Sequence, residues 1–546
     1  MRALPNDPTA AGHSATPANS SPSSPEGPPA GASRPVAVLD MGSSAIRLLV
    51  AEATPGEPIR LLEEASRGVL LGRETFTNGR IGAATMEAAL KALEGFRKIM
   101  DGYGVVRYRA VATSAVREAA NRDSFLDRVR LRTGIEVEII DGSEENQLTY
   151  LAVRQALRGH EVLKTGNALL VEIGGGSGDI SFLRAGEPLQ SGTYALGAIR
   201  MRQSWASYQG SHAQGIRLLR RHIHNVVEDI RRDIPLREAQ HFIALGGDVR
   251  FVASRLAGPA AAGADGFRVV PGDAFMRFYD EVESLDVEEL VEQYHLPLTD
   301  AETLVPALMA YRELFTETKA DQVVVPEASL RAGLLLELAG ASEGRGFEDL
   351  RVQVLASAAA LGDKYRYDAA HARNVANLAV RLFDELHAEH GLQARDRLLL
   401  EVAALLHDVG IFIGLRAHHK HSLYVLTQAE IFGLSREDMA VVANVARYHR
   451  RGLPAKTHAE FMALDREQRV DVLKMAAILR LANSLDADHL QKVRDVRILR
   501  GSEPWVLEVD AAGDPTMERL ATLSRSDLFT DVFGRKIVFR EAGAPT

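Results

Sequence analysis

Two stretches of the chain set a carboxylate at the end of an apolar run and then turn on glycine and serine: Asp40 in "VAVLDMGSSAIRLLV" and Glu172 in "ALLVEIGGGSGDISFL". Glycine lets backbone N–H groups approach an anion without interference from Cβ, and serine hydroxyls add donors, so such turns suit phosphate oxygens. The candidates are Gly42, Ser43 and Ser44 in the first turn, and Gly174, Gly175, Gly176 and Ser177 in the second. Asp40 and Glu172 hold matching places, where a carboxylate beside bound phosphate can hold Mg²⁺ directly or through water. A third apolar strand ends at Gly246 and Gly247 in "FIALGGDVRFV", a candidate for a third phosphate-facing or channel-facing turn. The Walker pattern G-x-x-x-x-G-K-[ST] is missing, and the first two turns lead into strands rather than opening helices, which excludes the dinucleotide pattern too.

A second candidate lies in "EVEIIDGSEENQLTYLAV", where a strand ends at Ile140 and Ser143 is placed to cap a helix carrying Glu144 and Glu145 in its first turn. Acids there are favoured by the helix dipole whether or not they do chemistry. A third concentrates histidines: His371 four residues before Val375, His407 beside Asp408, then His418, His419, His421 and His449, with Asp486 in line with Ala482 and Leu479. Imidazoles and carboxylates facing inward from successive helices can form a mononuclear or dinuclear metal site. The chain has no cysteine, so thiolate metal sites, disulfides and cysteine nucleophiles are excluded. Residues 447–456, with Arg416 and Lys420, form a local basic cluster suited to guiding an anionic chain.

The elements that must position these residues fall into five segments. A chain of 546 residues, 46% of them hydrophobic, is too long for one core and rich enough to fill several. Residues 1–34 are Pro, Ser and Ala with few large apolar side chains, a composition that predicts a disordered tail. Residues 35–160 and 161–345 alternate β-branched runs with amphipathic helical stretches and predict two α/β domains. From 346 to 493 strand signals vanish and helical faces such as Val375, Leu378, Ala379, Leu382, Phe383 and Leu386 take over. Residues 494–546 read as a small α+β unit. There is no apolar run of membrane-spanning length and no secretory leader, so a cytoplasmic protein without a membrane partner is expected. A net charge of −9 argues against a general nucleic-acid binder.

The paired hairpin turns resemble those of the actin-like, ribonuclease-H-like superfamily, in which two related halves clamp a phosphate chain. More closely, "VLDMGSSAIRLLV", "AVATSAVREAANRDSFLDRV", "GIEVEIIDGSEENQLTYLAV", "LLVEIGGGSGDISFL", "YALGAIRM" and "IALGGDVRFVA" resemble, in order, the landmarks of the exopolyphosphatase and guanosine pentaphosphate phosphohydrolase family. The resemblance implies Mg²⁺-dependent hydrolysis of a terminal phosphoanhydride by two actin-like domains acting as a homodimer. Glu145 matches the residue that positions and deprotonates the attacking water, and Arg117 in "TSAVREA" matches an arginine near the site. Asp179 matches the second acid of the second turn, beside Asp40 and Glu172 at the Mg²⁺. The helical segment resembles the HD-domain metal phosphohydrolases, with His371, His407, Asp408 and Asp486 matching ligands for a second divalent metal.

Departures accompany the matches. The first turn usually reads Asp-x-Gly-Ser-Asn-Ser, whereas Ser44 and Ala45 stand here. The second usually reads Asp-x-Gly-Gly-Gly-Ser-Thr-Glu, whereas this chain has Glu172, Gly178 and Asp179, and Asp248 stands where Thr is common. Each exchanged acid changes reach by about an ångström, which is large against metal geometry. Four readings therefore stay open: an exopolyphosphatase, a guanosine pentaphosphate 5′-phosphatase, a polyphosphate or alarmone sensor without turnover, and a metal phosphohydrolase acting on nucleotides at the histidine cluster.

Overall fold

The protein is described by a computed structural model covering residues 35–53, 59–206, 212–257, 266–340, 345–450, 452–501 and 504–542. The expected tail, 1–34, lies outside the described residues. The first lobe is a five-stranded sheet built from β1 (Pro35–Met41), β2 (Ala45–Glu52), β3 (Arg60–Gly68), β4 (Arg107–Ala112) and β5 (Glu138–Ile139) in the order β3-β2-β1-β4-β5. β1 and β2 are almost wholly buried aliphatic strands, as expected for a sheet covered on both faces. One cover is the helix Ala83–Gly102, which buries Met86, Ala89, Leu90, Leu93, Phe96 and Met100 at helical spacing.

The second lobe repeats the plan with β6 (Asn167–Ile173), β7 (Gly178–Arg184), β8 (Glu187–Tyr194), β9 (His241–Leu245), β10 (Phe267–Pro271) and β11 (Gln322–Pro326). Its order, β8-β7-β6-β9-β11-β10, opens with the same antiparallel meander followed by parallel neighbours. The hairpins β1–β2 and β6–β7 are therefore equivalent, each with its turn at the carboxyl end of the lobe's first strand. The lobes are not separated cleanly at 345. The helix Leu330–Gly340 returns to the first lobe, where Leu334 and Leu335 share a core with Val38, Val111 and Leu148.

From Arg345 to Ser484 the chain is helical, as the loss of strand signals predicts. The helix Ala369–Glu385 buries the expected face, together with His371. β12 (Val493–Leu499), β13 (Trp505–Ala511) and β14 (Ile537–Glu541) form a three-stranded sheet. This C-terminal unit has no core of its own: Val496, Leu507, Phe529 and Ile537 are buried in one cluster with Leu382, Val402 and Leu479 of the helices. Among the described residues no helix is long and apolar enough to cross a membrane.

Candidate active site

The two equivalent hairpins meet. A Cβ on Gly176 would lie 2.2 Å from Ser114 Oγ and 2.9 Å from Ser43 Oγ, and those two hydroxyls are themselves 3.2 Å apart. The second turn is thus seated on the first turn and on the start of the helix Ser114–Arg117, a closeness only glycine permits. Behind it, buried Tyr311 donates its hydroxyl to Leu245 O and accepts from Ile173 N at 2.9 Å, fixing the ends of β9 and β6 together. Gly246 follows with φ +121°, the left-handed side that lets the chain leave β9 and enter the helix Gly247–Leu256.

The register decides what faces the cleft. In the first hairpin Asp40 pairs with Arg47, and their side chains lie 3.6 Å apart. In the second, Glu172 pairs with Asp179, so two acids occupy the equivalent places. Thr149 Oγ1 donates to Glu172 Oε2 at 3.1 Å, and Thr193 Oγ1 donates to Asp179 Oδ1 at 2.7 Å.

Glu145 stands in the first turn of the helix Gly142–Ala156. Asp141, not Ser143, caps that helix, its Oδ1 accepting from Glu144 N at 3.0 Å. Ser143 lies inside the first turn and donates its hydroxyl to Ile431 O at 2.9 Å instead. The neighbouring acids diverge: Glu144 pairs with Arg109, and Glu145 with Arg117 at 2.7 Å. Arg117 Nη1 also donates to Ile140 O at 2.5 Å, so that nitrogen holds Glu145 and the residue just after β5 together.

Asp40, Gly42, Ser43, Ser44, Glu145, Glu172, Gly174, Gly175, Gly176, Ser177, Asp179, Gly246 and Gly247 all line one cleft of about 380 Å³ between the lobes. Arg117 lines a neighbouring cleft of about 470 Å³, which shares Gly176 and Ser177 as its wall. Burial pushes the proton affinity of Asp40, Glu145, Glu172 and Asp179 up in every case. For Glu145 the charge of Asp179 adds to burial and Arg117 opposes both. Asp248 is pushed up to about 6 by burial, with Thr303 as its hydrogen-bond donor. The four carboxylates are hard oxygen donors of the kind Mg²⁺ takes, and they line one cleft, although among the described residues no three of them bring oxygens within 4.8 Å of one another.

Sequence reasoning missed Arg47, Thr113, Ser114, Thr149, Arg250 and Arg331, which also line the cleft. Arg47 follows from hairpin register once the turn is placed at 42–44, and Thr149 follows as the residue one helical turn after Glu145. Arg250 follows as the residue one helical turn after Gly246, whereas Arg331 carries no local signal, since only the tertiary fold brings its helix to the cleft.

In the helical segment, Asp408 has His418 Nε2 at 3.1 Å and His449 Nε2 at 3.4 Å, and those two nitrogens are 3.1 Å apart. Potential ligand atoms of these three residues, and likewise of His371, Asp408 and His489, lie within 4.8 Å of one another. His371 Nε2 and His407 Nε2 are buried without a hydrogen-bond partner. His407 is brought to Asp408, 3.7 Å away, whereas Asp486 is engaged with His371 Nδ1 at 2.8 Å and with Gln491 N at 2.7 Å. Asp486 thus orients His371 from behind rather than joining the atoms around Asp408. Of the basic cluster, Arg447 is 3.5 Å from Glu460, and Arg451 lies outside the described residues.

Comparisons with known proteins span both lobes and the helical segment. Residues 49–341 match the Ppx/GppA phosphatase family, and residues 355–528 match Ppx/GppA phosphatase domain III. The chain is 26% identical over 302 residues to exopolyphosphatase 1 of Mycobacterium leprae, covering 55% of this chain and 88% of that relative. It is 24% identical over 430 residues to a guanosine-5′-triphosphate,3′-diphosphate pyrophosphatase of Vibrio parahaemolyticus, covering 76% of this chain and 81% of the relative. Among solved structures, an exopolyphosphatase from Cytophaga hutchinsonii superposes with a TM-score of 0.52 at 22% identity, over 56% of this chain and 98% of the other. That likeness shows the actin-like α/β fold of the two lobes. With the family profile matching over half its length, the chain belongs to the Ppx/GppA phosphatase family, enzymes that hydrolyse phosphoanhydride bonds.

Proposed function

We propose that this protein cleaves the terminal phosphoanhydride of inorganic polyphosphate, releasing orthophosphate by in-line attack of water with Glu145 as general base. The observation that carries this reading is the convergence of Glu145 with Asp40, Glu172 and Asp179 in one cleft between two seated glycine turns. Glu145 takes the proton of a water whose oxygen forms the new bond to the terminal phosphorus. The bridging P–O bond breaks, and the shortened chain leaves as an oxyanion. Arg117 holds the Glu145 carboxylate in one orientation and offsets part of the rise in proton affinity caused by burial. The hydroxyls of Ser43, Ser44 and Ser177 and the turn backbones orient the phosphate chain. Asp40, Glu172 and Asp179 are the residues that would hold Mg²⁺, which when bound neutralises charge on the phosphoryl oxygens.

The Vibrio relative supports guanosine pentaphosphate as an alternative substrate for the same cleft, since one terminal phosphoanhydride serves both. A second site is supported by the two unpartnered buried imidazole nitrogens of His371 and His407 near Asp408: an HD-like metal centre in which His371, His407 and Asp408 are joined by His418 and His449. Metal hydrolysis of nucleotides there is the reading that would displace the cleft. Incubation with long-chain polyphosphate and Mg²⁺ tests the proposal. Orthophosphate release by the wild type supports it, and tight chain binding without release identifies a sensor instead.

A further inference from the structure

The helical segment meets the catalytic helix through the Arg154–Asp349 ion pair and through the loop of a helical hairpin whose far end is bounded by His418 and His449. The helix His418–Gln428 starts at one of these residues, and the helix Arg436–Arg447 ends two residues before the other. The two are packed neighbours, so the histidines sit at one end of a helical hairpin and its loop, 429–435, about 16 Å away at the other. At the loop end Ile431 O accepts from Ser143 Oγ at 2.9 Å, and Asp141 Oδ2 accepts from Arg436 N at 2.6 Å. Phe432 is fully buried in the core with Tyr150 and Val153 of the catalytic helix, its ring edge-on to Tyr150 at 5.5 Å. Asp141 therefore caps the Glu145 helix with one oxygen and holds the first residue of the Arg436–Arg447 helix with the other.

The histidine end is built to respond to a cation. His418 Nδ1 lies 3.0 Å from Leu415 O and His449 Nδ1 lies 2.6 Å from Ala446 O. A carbonyl only accepts, so each Nδ1 carries a proton, which leaves Nε2 as the nitrogen of each ring able to ligate a metal. The two Nε2 atoms lie 3.1 Å apart beside Asp408 in a buried site, close enough for one cation to be shared by all three residues. Imidazole nitrogens with a carboxylate suit Zn²⁺ and its neighbours rather than Mg²⁺.

We propose that a transition-metal ion held by Asp408, His418 and His449 regulates hydrolysis in the cleft, the helical hairpin transmitting its binding to Asp141, Ser143 and so to the Glu145 helix. The inference rests on the cleft being the hydrolytic site. Metal binding pins the two helices at their histidine end, seats the loop on the catalytic helix and raises turnover. Reciprocity requires that a chain bound in the cleft raise metal affinity by the same factor, about 5–150-fold for ordinary couplings.

The test uses full-length protein stripped of metal and supplied with saturating Mg²⁺, with Zn²⁺ as the probe. Three readouts are taken: Zn²⁺ binding, amide hydrogen exchange across residues 142–156, and orthophosphate release from polyphosphate. Expected are Zn²⁺ binding that His418→Gln or His449→Gln weakens, slower exchange in 142–156 on binding, and faster release. Ser143→Ala should bind Zn²⁺ normally yet lose part of both responses, which separates coupling from loss of folding at the histidines. Absence of Zn²⁺ binding, or binding that leaves both exchange and release unchanged, overturns the proposal. Slowed exchange without any release, with or without Zn²⁺, supports the coupling and sinks the hydrolase reading instead.

Discussion

The two hairpin turns are the same device with opposite electrostatics. In each, the penultimate residue of the lobe's first strand is an acid facing its hairpin partner across the ladder. In the first lobe the partner is Arg47, whose charge opposes the rise that burial causes in the proton affinity of Asp40. In the second the partner is Asp179, and Glu172 and Asp179 stand together with Glu145 near by. A repeated plan thus differs at a single register position: the second turn sets two acids against each other, and the first sets an acid against an arginine.

Breaking this asymmetry orders the expected effects. Glu145→Gln, which leaves shape and removes the base, should lower polyphosphate hydrolysis about 10²–10⁴-fold in a phosphate-release assay. Glu172→Gln or Asp179→Asn should raise the Mg²⁺ concentration for half-maximal rate about 10–100-fold. Asp40→Asn should raise it less, because Arg47 already shares that carboxylate; an equal or larger effect would erase the distinction between the turns. Gly176→Ala forces a methyl against Ser114 and Ser43 and should destabilise the protein by about 1–3 kcal/mol in denaturant unfolding.

The smallest effect is on pH dependence. The four cleft acids bind protons more tightly folded than unfolded. Their contribution to stability is present below the ordinary carboxylate range and is lost as pH rises from there through neutrality. Without Mg²⁺ the melting temperature should therefore carry a falling component over that window, and Mg²⁺ should reverse it. A cleft stabilised by rising pH in the absence of cations would contradict the assignment.

Much of this was legible from local pattern. A strand, a glycine turn and another strand can be read from sequence because alternation and turn chemistry are local, and the carboxylates follow from their place at the strand end. Glu145 was legible only through resemblance, since its helix start is favourable to any acid. Ser143 was misread as the cap because Asp141, two residues earlier, competes for the same role and wins by reaching both helices. The division at 345 and the separate C-terminal unit blur because Leu334, Val496 and Ile537 complete cores begun elsewhere in the chain. The clamp of residues 431–436 on the catalytic helix joins positions nearly three hundred residues apart, and no periodicity records it.

The central claim is that phosphoanhydride cleavage occurs between the lobes and not at the histidines. Orthophosphate release from long-chain polyphosphate, measured side by side for Glu145→Gln and Asp408→Ala at saturating Mg²⁺, tests it most directly. The account predicts that Glu145→Gln loses turnover while still binding the chain, and that Asp408→Ala keeps turnover, lowered only by the regulatory factor. Undiminished release by Glu145→Gln, with none from a folded Asp408→Ala, would contradict it.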